Sequence, residues 1–117
     1  MDQFELEVST ALSELGIKPH LHGHECIKVA LNILHENPSA ILQIGKFYSD
    51  VGNAVGVSPS KVVKNITFAL ENVSSDFNAK KKVLGTAREM TTTEFVATLS
   101  EAIKLRLADK TLAGVSS

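Results

Sequence analysis

The segment Ser49–Val73, SDVGNAVGVSPSKVVKNITFALENV, limits the possible folds more than any other part of the chain. Gly56 stands where a short helix, opened by Asp50-Val51-Gly52, must stop and reverse. That position favours positive φ, which only a residue without Cβ adopts cheaply. Ser58 then offers a side-chain oxygen to cap the next helix, and Pro59 suits the first helical position, where no amide donor is required. Behind the cap, Val62, Ile66, Ala69, Leu70 and Val73 recur at helical spacing and form a buried stripe. Small or apolar Gly52, Val55 and Val57 suit packing against a partner helix. Together these features predict a helix-turn-helix over residues 49–73.

The flanking sequence continues in helical patterns. Asp2 to Leu15 places Phe4, Val8, Ala11, Leu12 and Leu15 on one face, with Gly16 as its stop. Pro19 keeps the following linker out of a helix. A second helix from about His22 to Glu36 carries Ile27, Ala30, Leu31 and Leu34, widened by Val29 and Ile33, and ends at Asn37-Pro38. Ser39 to Tyr48 is apolar without a clear period and reads as a helical turn and loop, because no second strand exists to pair with it. Ser74-Ser75-Asp76 offers caps for a short helix through Leu84 that carries Lys80, Lys81 and Lys82. Thr91 and Glu94 have capping-box spacing ahead of a last helix with Phe95, Leu99, Ala102, Ile103 and Leu107 on one face. The expected fold class is all-α: a compact bundle of about six helices in a single domain over 1–110, with a flexible tail over 111–117.

Composition narrows the function classes. One cysteine among 117 residues, Cys26, excludes an internal disulfide framework and points to a reducing, cytoplasmic setting. No stretch has the length of a signal peptide or membrane span. His20, His22 and His24 with Glu25 and Cys26 resemble a metal cluster only superficially. They straddle a turn into a helix, with only His35 as a distant candidate, so solvent-facing or capping histidines are the default and no metal or cofactor is expected. No catalytic spacing and no phosphate-binding glycine loop is present, so no enzyme is expected. The net charge of −1 means that only a local concentration of lysine could favour nucleic acid.

Several strings, in order, resemble a known family. Glu14-Leu15-Gly16-Ile17 is followed by Pro19-His20-Leu21-His22-Gly23, then Phe47-Tyr48-Ser49-Asp50-Val51 and Ser60-Lys61-Val62. Thr93-Glu94-Phe95-Val96-Ala97 and Lys104-Leu105-Arg106-Leu107 complete the series. Over about residues 3 to 108 the chain resembles the C-terminal effector domain of the stage-zero sporulation response regulator of endospore-forming bacteria. The resemblance implies a six-helix domain that binds promoter DNA through its helix-turn-helix, in tandem copies or as a dimer. It also implies a tethered receiver domain; none is present in this sequence, which suggests either a fragment or an effector without phosphorylation control.

The recognition helix departs from that family, whose outward face is largely basic. Lys61 and Lys64 keep positive charge, but arginine forks that read guanine bidentately are missing. Val63 and Phe68 are apolar on a face expected to be wet; Phe68 suits either a thymine methyl or the first helix. The DNA-facing set is therefore Ser58, Ser60, Lys61, Lys64, Thr67 and Phe68, with Lys64 the best base reader. A different class of function, a helix-turn-helix that has lost DNA and binds protein, would use Val63 and Phe68 as an exposed apolar patch. A shared face for Lys61, Lys64 and Lys80–Lys82 favours the first reading, and a shared exposed face for Val63 and Phe68 the second.

Overall fold

The structure, a computed structural model, describes residues 2–72 and 77–116, excepting the side chains of Phe77 and of 111–116. Among the described residues six α-helices follow one another: α1 (Gln3–Glu14), α2 (His22–Glu36), α3 (Ile44–Val55), α4 (Pro59–Glu71), α5 (Phe77–Leu84) and α6 (Thr92–Ser116). A 3-10 turn, Pro38–Leu42, joins α2 to α3. No strand occurs among the described residues. The all-α class and the helix count match the sequence reading. Val73 and the Ser74-Ser75-Asp76 caps lie outside the described residues.

The helix ends are set by local chemistry. The Asp2 carboxylate accepts the Glu5 amide at 2.8 Å and caps α1. Gly16 closes that helix at φ 77°. At α6 the capping box is reciprocal: the Thr91 N–H donates to Glu94 Oε1 at 3.0 Å, and the Glu94 N–H donates to Thr91 Oγ1 at 3.2 Å. The backbone of α6 remains helical to Ser116, into the segment read from sequence as tail.

One boundary differs. The first helix of the helix-turn-helix begins at Ile44, not at Asp50, so the second half of the stretch read as turn and loop belongs to it. Phe47, Tyr48 and Val51 are its buried contacts. Their spacing of three and four residues is a helical stripe that starts before the glycine-rich half of the segment.

Helix α2 is the centre of the packing and touches α1, α3, α4 and α6. Its crossing with α4 is close because Gly23 has no side chain. A Cβ there would lie 2.3 Å from the Asn65 carbonyl oxygen and 2.6 Å from the Ala69 Cβ. Around this crossing Ile27, Ala30, Val62, Ile66 and Ala69 are fully buried. At the far side of the core, α1 meets α6 through a charged cluster. Glu7, only 2% exposed, is paired with Lys110 and lies 3.8 Å from Arg106. Arg106 also reaches Glu14 at 3.4 Å. A buried carboxylate survives only with such partners, because its desolvation would otherwise cost several kcal/mol, on the order of the penalty for any unpaired ion.

Two outcomes test these assignments. Gly23→Ala should destabilise the protein by about 1–3 kcal/mol, because the added methyl meets backbone rather than a movable side chain. Gly56→Val should cost about 1 kcal/mol or more for a different reason, its positive φ. Denaturation midpoints equal to wild type would place the crossing or the turn elsewhere. A third outcome concerns acid. Hydrogen bonds from Thr91, and then the nearby Arg88, hold the Glu94 carboxyl below its ordinary pKa. A carboxylate with a depressed folded pKa adds stability above its ordinary value, and that stability is lost as pH falls through the folded one. Glu94→Gln should therefore flatten the fall in thermal midpoint between about pH 6 and about pH 3; an unchanged profile would count against the capping box as its source.

Candidate nucleic-acid interface

The turn between α3 and α4 is built from three small requirements. The Gly56 N–H and Val57 N–H both donate to the Gly52 carbonyl, at 2.7 and 3.0 Å. Gly56 takes φ 81°, the left-handed conformation expected from its place in the sequence. Gly52 must itself be small, since a Cβ would sit 2.4 Å from the Val57 carbonyl oxygen. Ser58 then caps α4 by accepting the Lys61 N–H at 3.3 Å, and Pro59 occupies the first turn.

Helix α4 is held in one rotational setting. Val62, Ile66 and Ala69 are buried. The Thr67 hydroxyl lies 2.6 Å from that of Thr92 at the start of α6. Tyr48 of α3 makes the equivalent link to Thr93, at 2.8 Å. Both helices of the motif are thus hydrogen-bonded to the same helix N-terminus. On the α2 side the Asn65 amide donates weakly to the Cys26 sulfur at 3.9 Å.

With about 100° of rotation per residue, the face opposite the buried stripe carries Ser60, Lys61, Lys64, Phe68 and Glu71, all exposed. Of the residues expected to face DNA, Ser60, Lys61, Lys64 and Phe68 are brought together here. Ser58 stands at the exposed entrance to the helix, with its oxygen engaged as the cap. Thr67 is turned to the edge, half-buried, with its hydroxyl hydrogen-bonded to that of Thr92. Val63 is corrected as well: it is half-buried and packs against the core, because five residues separate it from Phe68 and carry it about 140° around the helix. Val63 and Phe68 therefore do not share the outward face of α4. Glu71 belongs on this face, two turns after Lys64, although its acidic charge concealed it among basic candidates; the seven-residue interval is the signal that finds it.

Lys61 and Lys64 have no ion pair among the described residues. On α3, Lys46 pairs with Asp50 at 2.9 Å, both exposed. The Lys80–Lys82 run lies on α5, which packs against α6 and α1. There Lys82 approaches Glu14 at 3.8 Å, while Lys80 lines the same cavity as Thr67, Leu70 and Glu71 of α4. The amide dipoles at the start of α4 add partial positive charge beside Ser60 and Lys61.

The histidine-rich turn has another character. Among the described residues no three His, Cys, Asp or Glu side chains gather as a metal site. Cys26 is buried, and desolvation pushes its thiol pKa up, which makes it a small core residue rather than a nucleophile. Burial, then Lys28, lowers the pKa of His24. His35 stacks on Phe4 with ring centroids 4.0 Å apart.

This order of helices, with its turn and cap, corresponds to a described family. The family model for the sporulation initiation factor Spo0A C terminal matches residues 8–109. No individual curated protein matches the chain. The match spans α2 through α5 whole, with most of α1 and the greater part of α6, and the chain belongs to the Spo0A C-terminal family of sporulation initiation factors.

Proposed function

We propose that this chain is a sequence-specific DNA-binding domain of a sporulation-type transcription regulator, acting in the cytoplasm as one helical unit through residue 110. The observation that carries the reading is the outward face of α4. In a chain of net charge −1, it presents two lysines without an ion pair among the described residues, and a serine, on a helix locked from behind by Val62, Ile66 and Thr67. A helix of about 10–12 Å diameter fits the major groove, which is about 12 Å wide. Lys64 is the base reader of the proposal, while Ser60 and Lys61 at the N-terminal end contact phosphate or base edges. The family membership supports the same reading. No helix among the described residues is long and apolar enough to cross a membrane.

The protein-binding alternative needs Val63 beside Phe68, and Val63 packs against the core instead. A non-catalytic role also fits the face, which holds lysine, serine and carboxylate without a buried nucleophile or base.

Binding by one copy should be weak, because a helix without guanidinium forks discriminates poorly. Useful affinity then requires tandem copies or a dimer on adjacent sites. Three lysines lie in the helix-turn-helix, Lys46, Lys61 and Lys64. From about 0.9 per phosphate neutralised, log K against log salt should fall with a slope of about −2 to −3 for one copy. Lys64→Ala should weaken the preferred duplex by about 1–3 kcal/mol if it reads a base. If it contacts phosphate, all duplexes should weaken alike and the slope should drop by about one. Fluorescence titrations at two salt concentrations measure both. Salt-independent affinity would refute the interface, and unchanged affinity for Lys64→Ala would remove α4's outward face from it.

A further inference from the structure

We propose that Phe68 reads the 5-methyl group of a thymine in the major groove, so that this chain's site preference turns on a methyl that no lysine senses. The inference rests on α4 being the DNA-facing helix and names the base class that it selects.

Phe68 is 55% exposed and is the single large apolar side chain on the outward face of α4. Its companions there are Ser60, Lys61, Lys64 and Glu71, all polar or charged. The other apolar residues of the helix point elsewhere: Val62, Ile66 and Ala69 are buried, and Val63 and Leu70 pack on the core. Phe68 cannot retreat with them, because its neighbours on either side are fixed. Thr67 is bonded to Thr92 at 2.6 Å and Ala69 is fully buried. The Asn72 amide closes on the Phe68 carbonyl at 2.8 Å.

A protein anchor gains its energy from a contiguous apolar patch meeting an apolar pocket, and one ring among two lysines, a serine and a glutamate does not supply that patch. A polyanionic partner with a single apolar feature matches the arrangement better. On the floor of the major groove that feature is the thymine methyl, which apolar side chains contact. The flanking lysines belong against the phosphates and acceptor edges around it. At about 1.5 Å rise per residue, Phe68 lies about 6 Å beyond Lys64 and about 10 Å beyond Lys61 along the axis. With about 3.4 Å per base step, the thymine falls about two and about three base pairs from the positions that those lysines face.

The test uses the full chain. A preferred duplex is selected from a random pool, then resynthesised with deoxyuridine replacing thymine one position at a time, which removes the methyl and nothing else. The expected result is one sensitive thymine per bound copy, where the wild type loses about fourfold in affinity, the value of one buried methyl-sized group. Phe68→Ala, shown folded by circular dichroism, should bind the thymine and uracil duplexes equally. Should that variant fail to fold, the wild-type uracil series decides alone. Wild-type binding that is indifferent to every substitution would overturn the inference while leaving the DNA-binding reading intact. So would Phe68→Ala that stays as sensitive as wild type. If the wild type binds no duplex at all, the DNA-binding reading itself falls and takes this one with it.

Discussion

The close crossing of α2 over α4 at Gly23 is the constraint on which the other placements depend. With 2.3 Å between an imagined Cβ and the Asn65 carbonyl, the two backbones pack where ordinary side chains would hold them apart. That approach lets Ala69, Ile66 and Val62 bury against Cys26, Ile27 and Ala30, and it sets the depth of α4 in the bundle. Dispersion and apolar burial both reward close packing of this kind. Every outward residue of α4 is displayed where it is because the inward ones are drawn so near to α2.

Depth alone would leave α4 free to roll. The Thr67–Thr92 bond removes that freedom, and the Tyr48–Thr93 bond does the same for α3. The N-terminus of α6 thereby serves as a common reference for both helices, and its capping box gives it a defined start. The rest of α6 is fixed to α1 by the Glu7, Arg106, Lys110 and Glu14 cluster. Of the four only Glu7 is buried, and its attraction to Arg106 and Lys110 is largely offset by its desolvation.

Local chemistry was legible in the sequence, and distant pairing was not. Gly56, Ser58 and Pro59 act within a few residues of one another, so turn, cap and helix start could be read from their order. The Thr91–Glu94 box is equally local. The start of α3 is not marked in the sequence, because Gly52 and Gly56 define only the second half of a helix whose buried residues begin at Phe47. Thr67 and Val63 read as outward from the sequence because a single helix does not reveal how wide its buried arc is. Thr67 acquires its partner from α6, and Val63 sits at the margin of a core that several other helices complete. Glu7 was invisible for the same reason: a carboxylate on an amphipathic helix reads as solvated until Arg106 and Lys110 come in from the chain's other end.

The separation of faces on α4 has an evolutionary consequence. Residues that fix the helix, Val62, Ile66, Thr67 and Ala69, are distinct from those it displays, Ser60, Lys61, Lys64, Phe68 and Glu71. Exposed positions away from caps and buried contacts usually change stability by no more than about 0.5 kcal/mol when substituted. A lineage can therefore exchange arginine for lysine, or a polar residue for phenylalanine, across the displayed face while the scaffold is left alone. New target preferences become reachable by single steps through folded intermediates, and divergence in recognition runs ahead of divergence in fold.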